Sequence, residues 1–209
     1  MDYLGLVNSF ITESGLTDTV ASIESGTTDD VDQVAHWINV AWEEFQVNRL
    51  WDFRWTEGSF NTVAGQSSYS NNDLALGDGA VIIPQSVYSV NRAVPVVSYL
   101  ELRASRRAPV APDDTVIHSV AIRNNNSLEI FPTPSAAINV EFDYYASPIR
   151  LVNNTDVPAG LPSTFHMLIV HAALHRYGAD IGGQDGKNTY EAHGGLYATL
   201  KNNYLNTVN

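Results

Sequence analysis

Hydrophobic residues recur with helical spacing near the start of the chain. An apolar stripe at positions i, i+3, i+4, i+7 and i+8 predicts a short helix that ends near Gly15. The residues of this stripe are Tyr3, Leu6, Val7, Phe10 and Ile11. A second and clearer amphipathic helix follows Thr27 or Thr28, either of which is a suitable N-cap before two acidic residues. Its apolar stripe contains Val34, Trp37, Ile38, Ala41, Trp42 and Phe45.

After Trp51 the pattern changes to short alternating segments separated by Gly, Pro, Ser and Asn, which predicts β-strands. The clearest strand runs from Ile138 to Tyr144, where apolar and polar residues alternate and one face is therefore buried. Just before it, the segments VAIR and SLEIF flank three asparagines at 124–126, which predicts a hairpin. Residues 118–145 are therefore predicted to form a three-stranded meander.

Helical periodicity returns at Pro162. The next helix is apolar around most of its circumference, so we expect it to be the most buried helix of the protein. Gly178 or the Gly182 and Gly183 pair is expected to end it. A last helix is predicted from about Lys187 through Leu196, Leu200 and Tyr204.

These elements predict an α+β fold, an approximately four-helix bundle with an antiparallel β insertion between the second and third helices. In this prediction residues 1–54 and 160–209 form a helical domain that would be the body of an assembly. Residues 55–159 form the inserted antiparallel β region.

Composition supports a globular chain and excludes several kinds of chemistry. The chain has 209 residues, 44% of them hydrophobic, which is enough to bury a core. No apolar run approaches the roughly 20 residues that span a bilayer, and the N-terminus has no signal-peptide pattern, so we expect a soluble, unprocessed protein. The absence of cysteine excludes disulfides, a thiolate nucleophile and a Cys-based zinc site.

The charge of the chain is strongly acidic, with Lys+Arg 11 against Asp+Glu 23 and a formal net charge of −12. This balance argues against a general nucleic-acid binder, which should present a basic face. Residues 1–48 contain nine acidic residues and neither Lys nor Arg. They form either a solvated helix surface or a surface that repels DNA or docks on a basic partner. The candidates for this acidic face are Asp29, Asp30, Asp32, Glu43 and Glu44.

A basic group stands out in the segment YLELRASRRAP, formed by Arg103, Arg106 and Arg107. In one interpretation it is an exposed loop or helix end with solvated arginines. In the other it is a docking patch for an acidic partner surface, for example the acidic N-terminal half of a neighbouring copy.

His171 and His175 lie four residues apart in a predicted helix, which is the spacing of two imidazoles that bind one metal ion. The HExxH motif also needs a carboxylate at the position held by Ala172, and no third ligand is evident. The same helix face carries small and polar residues, which favours a contact face with a neighbouring element or subunit. We therefore expect no metal, no cofactor and no catalytic residue.

Three segments in order carry a resemblance to a known family: WINVAWEEFQVNRLWDFRW, LEIFPTPSAAINVEFDYYASP and LPSTFHMLIVHAALHRYG. This series resembles the head-to-tail adaptor (connector) proteins of tailed bacteriophages over roughly residues 27–205. The segment from about Gly65 to Asp114 departs most from the family pattern.

The resemblance implies a non-enzymatic virion protein at the head–tail interface, assembled in the host cytoplasm without contact with a membrane. It implies a ring, usually dodecameric, that lies below the portal protein and connects it to a stopper, nozzle or tail protein. DNA would pass through this ring without specific binding.

The resemblance also implies a C-terminal segment that docks on the portal, while the alternative from the residues alone is a frayed terminus. The candidates for this docking segment are Lys201, Asn202, Asn203, Tyr204 and Leu205. Two other functions stay open: another virion ring protein, such as a stopper or tail terminator, and a metal-dependent hydrolase that uses His171 and His175.

Overall fold

The computed structural model describes residues 1–16, 19–23, 29–107 and 113–208. The helices in these ranges are α1 (Tyr3–Ser14), α2 (Asp29–Val47), α3 (Tyr99–Arg106), α4 (Met167–Ile181) and α5 (Gly183–Thr207). The strands are β1 (Trp55–Asn61), β2 (Ser68–Tyr69), β3 (Val81–Ile82), β4 (Tyr88–Ser89), β5 (Arg92–Ala93), β6 (Ser119–Ile122), β7 (Leu128–Phe131) and β8 (Asn139–Tyr145). Short 3₁₀ turns cover Asp52–Arg54, Pro84–Ser86 and Ser163–Phe165.

The chain divides into two compact units. The helical unit comprises Met1–Arg49 and Ile149–Asn209, and the β unit comprises Leu50–Pro148. With helices and antiparallel sheets together, the fold class is mixed α+β, as predicted.

The predicted first helix of the helical unit is confirmed. The Asp2 carboxylate caps α1 by accepting a hydrogen bond from the Gly5 amide, and Gly15 ends the helix with a left-handed φ of 76°. All five residues of its predicted stripe are buried. The helix therefore stands where the sequence pattern places it, with its apolar face against the rest of this unit.

The centre of the helical unit is α4, which packs against α1, α2 and α5. In this helix, which the sequence predicts to be the most buried one, five apolar residues are fully covered: Leu168, Ile169, Val170, Ala173 and Leu174. Of the two predicted ends, the one at Gly182 and Gly183 is confirmed, because Gly182 follows the last turn, whereas Gly178 lies inside α4. The last helix, α5, begins at Gly183, about one turn earlier than predicted.

The second predicted helix is also confirmed as α2, with Ile38, Trp42 and Phe45 in the core. Its predicted caps, Thr27 and Thr28, lie outside the described residues.

Two antiparallel sheets form the β unit. In the first sheet β8 pairs with β1 along one edge and with β3 and β4 along the other, and β5 extends β4. The second sheet has the order β2, β7, β6. Inward side chains of both sheets join one hydrophobic cluster that includes Val120, Leu128, Ile130, Val140 and Phe142. The core of this unit is therefore built from alternate residues of its strands.

The predicted hairpin is confirmed, because β6 and β7 pair antiparallel across the asparagine turn. The predicted three-stranded meander is wrong. Instead of adding to β7, the strand β8 joins the other sheet and pairs with β1, so that Phe142 lies opposite Gly58. Val140 and Phe142 alternate inward as the pattern predicts, but alternation fixes only which face is buried and does not choose the neighbouring strand.

Candidate interaction surfaces

The arginine-rich segment forms a helix, α3, that the hydrophobic pattern did not predict. Ser98 and Glu101 form a capping box at its start: the Ser98 hydroxyl accepts from the Glu101 amide at 3.2 Å, and the Glu101 carboxylate accepts from the Ser98 amide at 2.9 Å. Hydrogen bonds that the Glu101 carboxylate accepts from the Ser98 backbone and side chain lower the pKa of this carboxyl. The Ser-x-x-Glu spacing is the sequence signal that could have revealed this helix.

One of the three predicted arginines, Arg106, binds other residues of the same chain. Arg106 donates from Nη2 to the Glu129 carboxylate at 2.9 Å and to the Ile130 carbonyl at 3.1 Å. Arg123 binds the other oxygen of Glu129 at 2.9 Å and lies 4.2 Å from the centre of the Tyr99 ring. Glu129 is only 5% exposed, so these contacts neutralise a buried carboxylate and fix α3 on the β6–β7 hairpin.

The other two arginines, Arg103 on α3 and Arg107 at its C-cap, are exposed. No carboxylate in the described part of the chain lies within salt-bridge distance of either guanidinium. The surface that α3 offers to a partner is therefore carried by these two residues and not by Arg106.

The two histidines of the predicted contact face turn to α5, each with its own partner. His171 is buried and its Nδ1 lies 3.0 Å from Nδ1 of His193, with the two rings stacked. His175 stacks on Tyr190 at 3.9 Å between ring centres and hydrogen-bonds the Tyr190 carbonyl through Nδ1 at 2.8 Å. The neighbour that both histidines contact is thus the next helix of the same chain.

Burial lowers the pKa of both His171 and His193, and the charge of His193 lowers the pKa of His171 further. Glu13 acts in the opposite direction on both rings. In the part of the chain that the structure describes, no three His, Asp or Glu side chains come together as a group that could hold a metal ion. The geometry of this pair is that of a packed helix interface.

Helices α4 and α5 approach each other so closely that backbone touches backbone. A β-carbon at Gly178 would lie 2.5 Å from the Tyr190 nitrogen and 2.8 Å from the Gly186 oxygen. A β-carbon at Gly186 would lie 2.6 Å from the Gly178 oxygen. Only glycine fits at these two positions, which explains why the stripe around His171 and His175 contains small residues.

Two of the predicted acidic-face residues pair with arginines within the helical unit. Glu43 binds Arg150, and Glu44 binds Arg176 on α4. Asp30 and Asp32 are exposed on α2, and the side chain of Asp29 lies outside the described set. The acidic surface left for a partner is therefore smaller than the sequence suggests.

An amide clamp, made by Asn39 and Gln46, holds the chain segment 149–151 on α2. The Asn39 side chain accepts from the Leu151 amide at 2.8 Å and donates to the Leu151 carbonyl at 3.0 Å. Gln46, two helical turns later, makes the same pair of hydrogen bonds to Ile149, each at 2.9 Å. The two side-chain amides thus give the segment 149–151 the hydrogen bonds that the backbone of a neighbouring strand would otherwise provide.

Asn39 also donates to the Tyr3 hydroxyl at 2.7 Å, which joins α1 to the clamp. Burial raises the pKa of Tyr3 to about 12 against the opposing effect of Arg150. Sequence reasoning missed Asn39 and Gln46, although a polar residue beside the apolar stripe of a helix is a signal for a buried hydrogen bond.

The predicted docking segment, residues 201–205, lies within the last turns of α5. Tyr204 is 3% exposed and packs against the rings of Phe45 and Phe165. Asn202 and Asn203 are exposed, whereas Lys201 and Leu205 are half-buried. Because the backbone of this segment is hydrogen-bonded within the helix, its outward side chains are the groups that can meet a partner.

The fold and these surfaces define a mixed α+β protein whose candidate residues serve packing and surface contacts. The chain belongs to the SU10 adaptor protein family, whose model matches residues 1–208. It is thus a structural adaptor protein of a bacteriophage and a component of the virion, and the resemblance in the sequence is confirmed at this level. A comparison with curated proteins finds no match. No helix among the described residues is both long and apolar enough to cross a bilayer.

Proposed function

We propose that this chain is the head-to-tail adaptor that assembles as a ring below the portal, joins the capsid vertex to the tail and continues the DNA channel. The observation that carries the proposal is the family match over residues 1–208 of a 209-residue chain. The ring is dodecameric in this proposal and acts without catalysis.

In this proposal the helical unit is the body of the ring, a bundle of α1, α2, α4 and α5. The β unit is its insertion between the second and third of these helices. The clamp by Asn39 and Gln46 supports the assignment, because it ties the returning chain to α2 and keeps the bundle closed.

The net charge of −12 is consistent with a channel for DNA. Repeated around a ring, this charge gives a potential that repels phosphate, so that DNA passes without binding. Exposed Asp30 and Asp32 on α2 are the acidic candidates that have no ion-pair partner among the described residues.

The portal contact is proposed for the end of α5, through Lys201, Asn202, Asn203 and Leu205. Tyr204 acts behind them as the anchor that holds this turn of the helix on Phe45. An N202A/N203A variant should therefore keep the fold and bind the purified portal at least about tenfold more weakly. The matched control is Q184A/N188A, which removes two exposed amides at the other end of the same helix.

The test of the function itself is binding to the purified portal of the same phage, followed by electron microscopy of the portal–tail complex. A ring of this chain between portal and tail is the expected result. Absence from that position, or location at the far end of the tail as a terminator, overturns the proposal. Unchanged portal binding by N202A/N203A overturns only the docking segment.

A further inference from the structure

The outer face of the five-stranded sheet carries three carboxylates on two adjacent strands. Glu57 on β1 lies directly opposite Asp143 on β8, and Glu141 lies on the same face of β8. Like charges directly opposite each other destabilise a sheet. No cation in the described part of the chain lies within salt-bridge distance of these three carboxylates. The isolated chain thus bears an electrostatic cost that a cationic partner would remove.

Aromatic side chains border these carboxylates. Trp55, 44% exposed, lies opposite Tyr145, and Tyr88, 42% exposed, lies opposite Glu141. Beside Tyr88 is an open cavity of about 450 Å³ that the three carboxylates line together with other residues of β1 and β8 and with Ser86. Carboxylates beside exposed aromatic rings are surroundings that an arginine guanidinium prefers, because it forms ion pairs with carboxylates and stacks on aromatic rings.

The chain supplies such arginines on another element. Arg103 on α3 and Arg107 at its C-cap are exposed, and α3 packs against β6 and β7 of the other sheet. Arg92 and Lys201 also have no carboxylate partner among the described residues, but each is the single unpaired cation of its own element. Arg103, on α3, and Arg107, the C-cap residue of α3, form the only pair of such cations that lie within four residues of each other in the described chain.

The spacing of Arg103 and Arg107 matches the spacing of the two carboxylates on β8. Residues four apart on a helix lie on one face about 6 Å apart along the axis, and the C-cap Arg107 keeps a right-handed helical backbone four residues after Arg103. Residues two apart on a strand lie on one face about 7 Å apart. Arg103 and Arg107 can therefore meet Glu141 and Asp143 at the same time, with Glu57 beside them.

We propose that the outer sheet face of one copy, with Glu57, Glu141 and Asp143, binds Arg103 and Arg107, on α3 and at its C-cap, of the next copy. Such a contact is heterologous, since it joins two different surfaces, and repeated contacts of this kind generate a ring. It deepens the proposed function by naming the contact between neighbouring subunits. Two copies that each carry a net charge of −12 repel each other. A contact that places unpaired cations of one copy on unpaired anions of the next offsets this repulsion locally, so it is favoured over other ways of pairing the two copies.

Charge reversal tests the contact. The variant E57R/E141R makes the sheet face basic, and the variant R103E/R107E makes the arginine surface acidic. Each variant alone should weaken self-association at least about tenfold at low salt. All four positions are exposed, so the fold should persist. The chain with all four substitutions, and the equimolar mixture of the two double variants, should both regain association. R92E is the matched control that leaves both surfaces unchanged.

Self-association is measured by sedimentation velocity on the chain alone and by native mass spectrometry of copies bound to the portal. A chain without cysteine also permits specific cross-linking. S59C with A104C should give a ladder of products beyond the dimer with a bifunctional maleimide, while each single variant gives dimers at most. Absence of self-contact in both settings, or full association by either double variant, overturns the proposal.

The two proposals fail in different ways. If copies associate through these charges but do not bind the portal, the head-to-tail position is wrong and the contact stands. If the chain forms a ring on the portal that charge reversal does not affect, the contact is wrong and the head-to-tail position stands.

Discussion

The Nδ1 atoms of His171 and His193 face each other at 3.0 Å in the interface of α4 and α5. A hydrogen bond between two such nitrogens needs one that donates and one that accepts, so the pair loses it when both rings are fully protonated. Both rings are buried, and a second positive charge in this interface meets the first at close range. The contact is therefore compatible with at most one charged ring.

This relationship predicts lower stability in acid. The unfolded chain titrates near the ordinary histidine pKa of 6.5, whereas burial lowers the pKa of both rings in the folded chain. Above 6.5 both states are neutral and the pair has no effect on pH dependence. Below it the unfolded chain binds protons first, so the free energy of unfolding falls until the pH passes the lowered folded pKa.

Urea unfolding at about pH 8 and about pH 5 measures this dependence. H193N keeps a donor for His171 and removes one titrating ring, so its loss of stability between the two pH values should be smaller. H36N, which changes an exposed histidine of α2, should keep the full dependence. Equal pH dependence in H193N and the unchanged chain would contradict the role of the pair.

The glycine contact between α4 and α5 predicts a large effect of one methyl group. G178A should lower the free energy of unfolding by about 1 to 3 kcal/mol, because its β-carbon would meet the backbone of α5. G195A on α5 is the matched control, since a β-carbon there has no neighbour within 4 Å. Alanine should stabilise that position by up to about 1 kcal/mol through helix propensity. Similar stability changes for the two variants, measured by urea unfolding, would refute the close approach.

The amide clamp predicts that N39A is destabilising. Removal of this side chain leaves the buried N–H and C=O of Leu151 without their partners, at a cost of about 1 to 3 kcal/mol. Hydrogen exchange of the Leu151 amide should also become faster. Q33A, at an exposed position of the same helix, should change stability by less than about 0.5 kcal/mol. Retained protection of Leu151 in N39A would argue against the clamp.

The two kinds of arginine on α3 should respond differently to alanine. R106A leaves Glu129 with one cation in a nearly buried site, so it should cost about 1 to 3 kcal/mol of stability. R103A removes an exposed charge and should change stability by less than about 0.5 kcal/mol, while it weakens self-association. Thermal unfolding and sedimentation of the two variants separate these effects, and a stability loss in R106A as small as the one expected for R103A would show that Arg106 is not structural.

Helical periodicity in the sequence predicted much of the helical unit. The stripes of α1 and α2 lie on the buried faces that the spacing indicates, and α4 is the central helix. Such patterns are reliable because a helix buries one face whatever its partner is. The position of α3 was missed because its eight residues bury only Leu102, and a helix so short is held by its cap and one ion pair.

Non-local pairing was not predictable from the same patterns. The longest pairing of β8 is with β1, which lies about eighty residues earlier in the chain, and alternation does not encode that choice. His171 likewise contacts His193 on the following helix, and Glu129 binds two arginines from different parts of the chain. Each contact depends on how distant segments pack, which a local pattern does not determine.

The glycines at the crossing of α4 and α5 also have a mechanical consequence. Helices that touch through long side chains can slide when rotamers change, which is how shear motions arise. At Gly178 and Gly186 there is no rotamer to change, because peptide groups touch directly. The hairpin of α4 and α5 should therefore resist sliding under load, and a force applied near Tyr204 would be passed along the pair to the centre of the bundle instead of being absorbed between its helices.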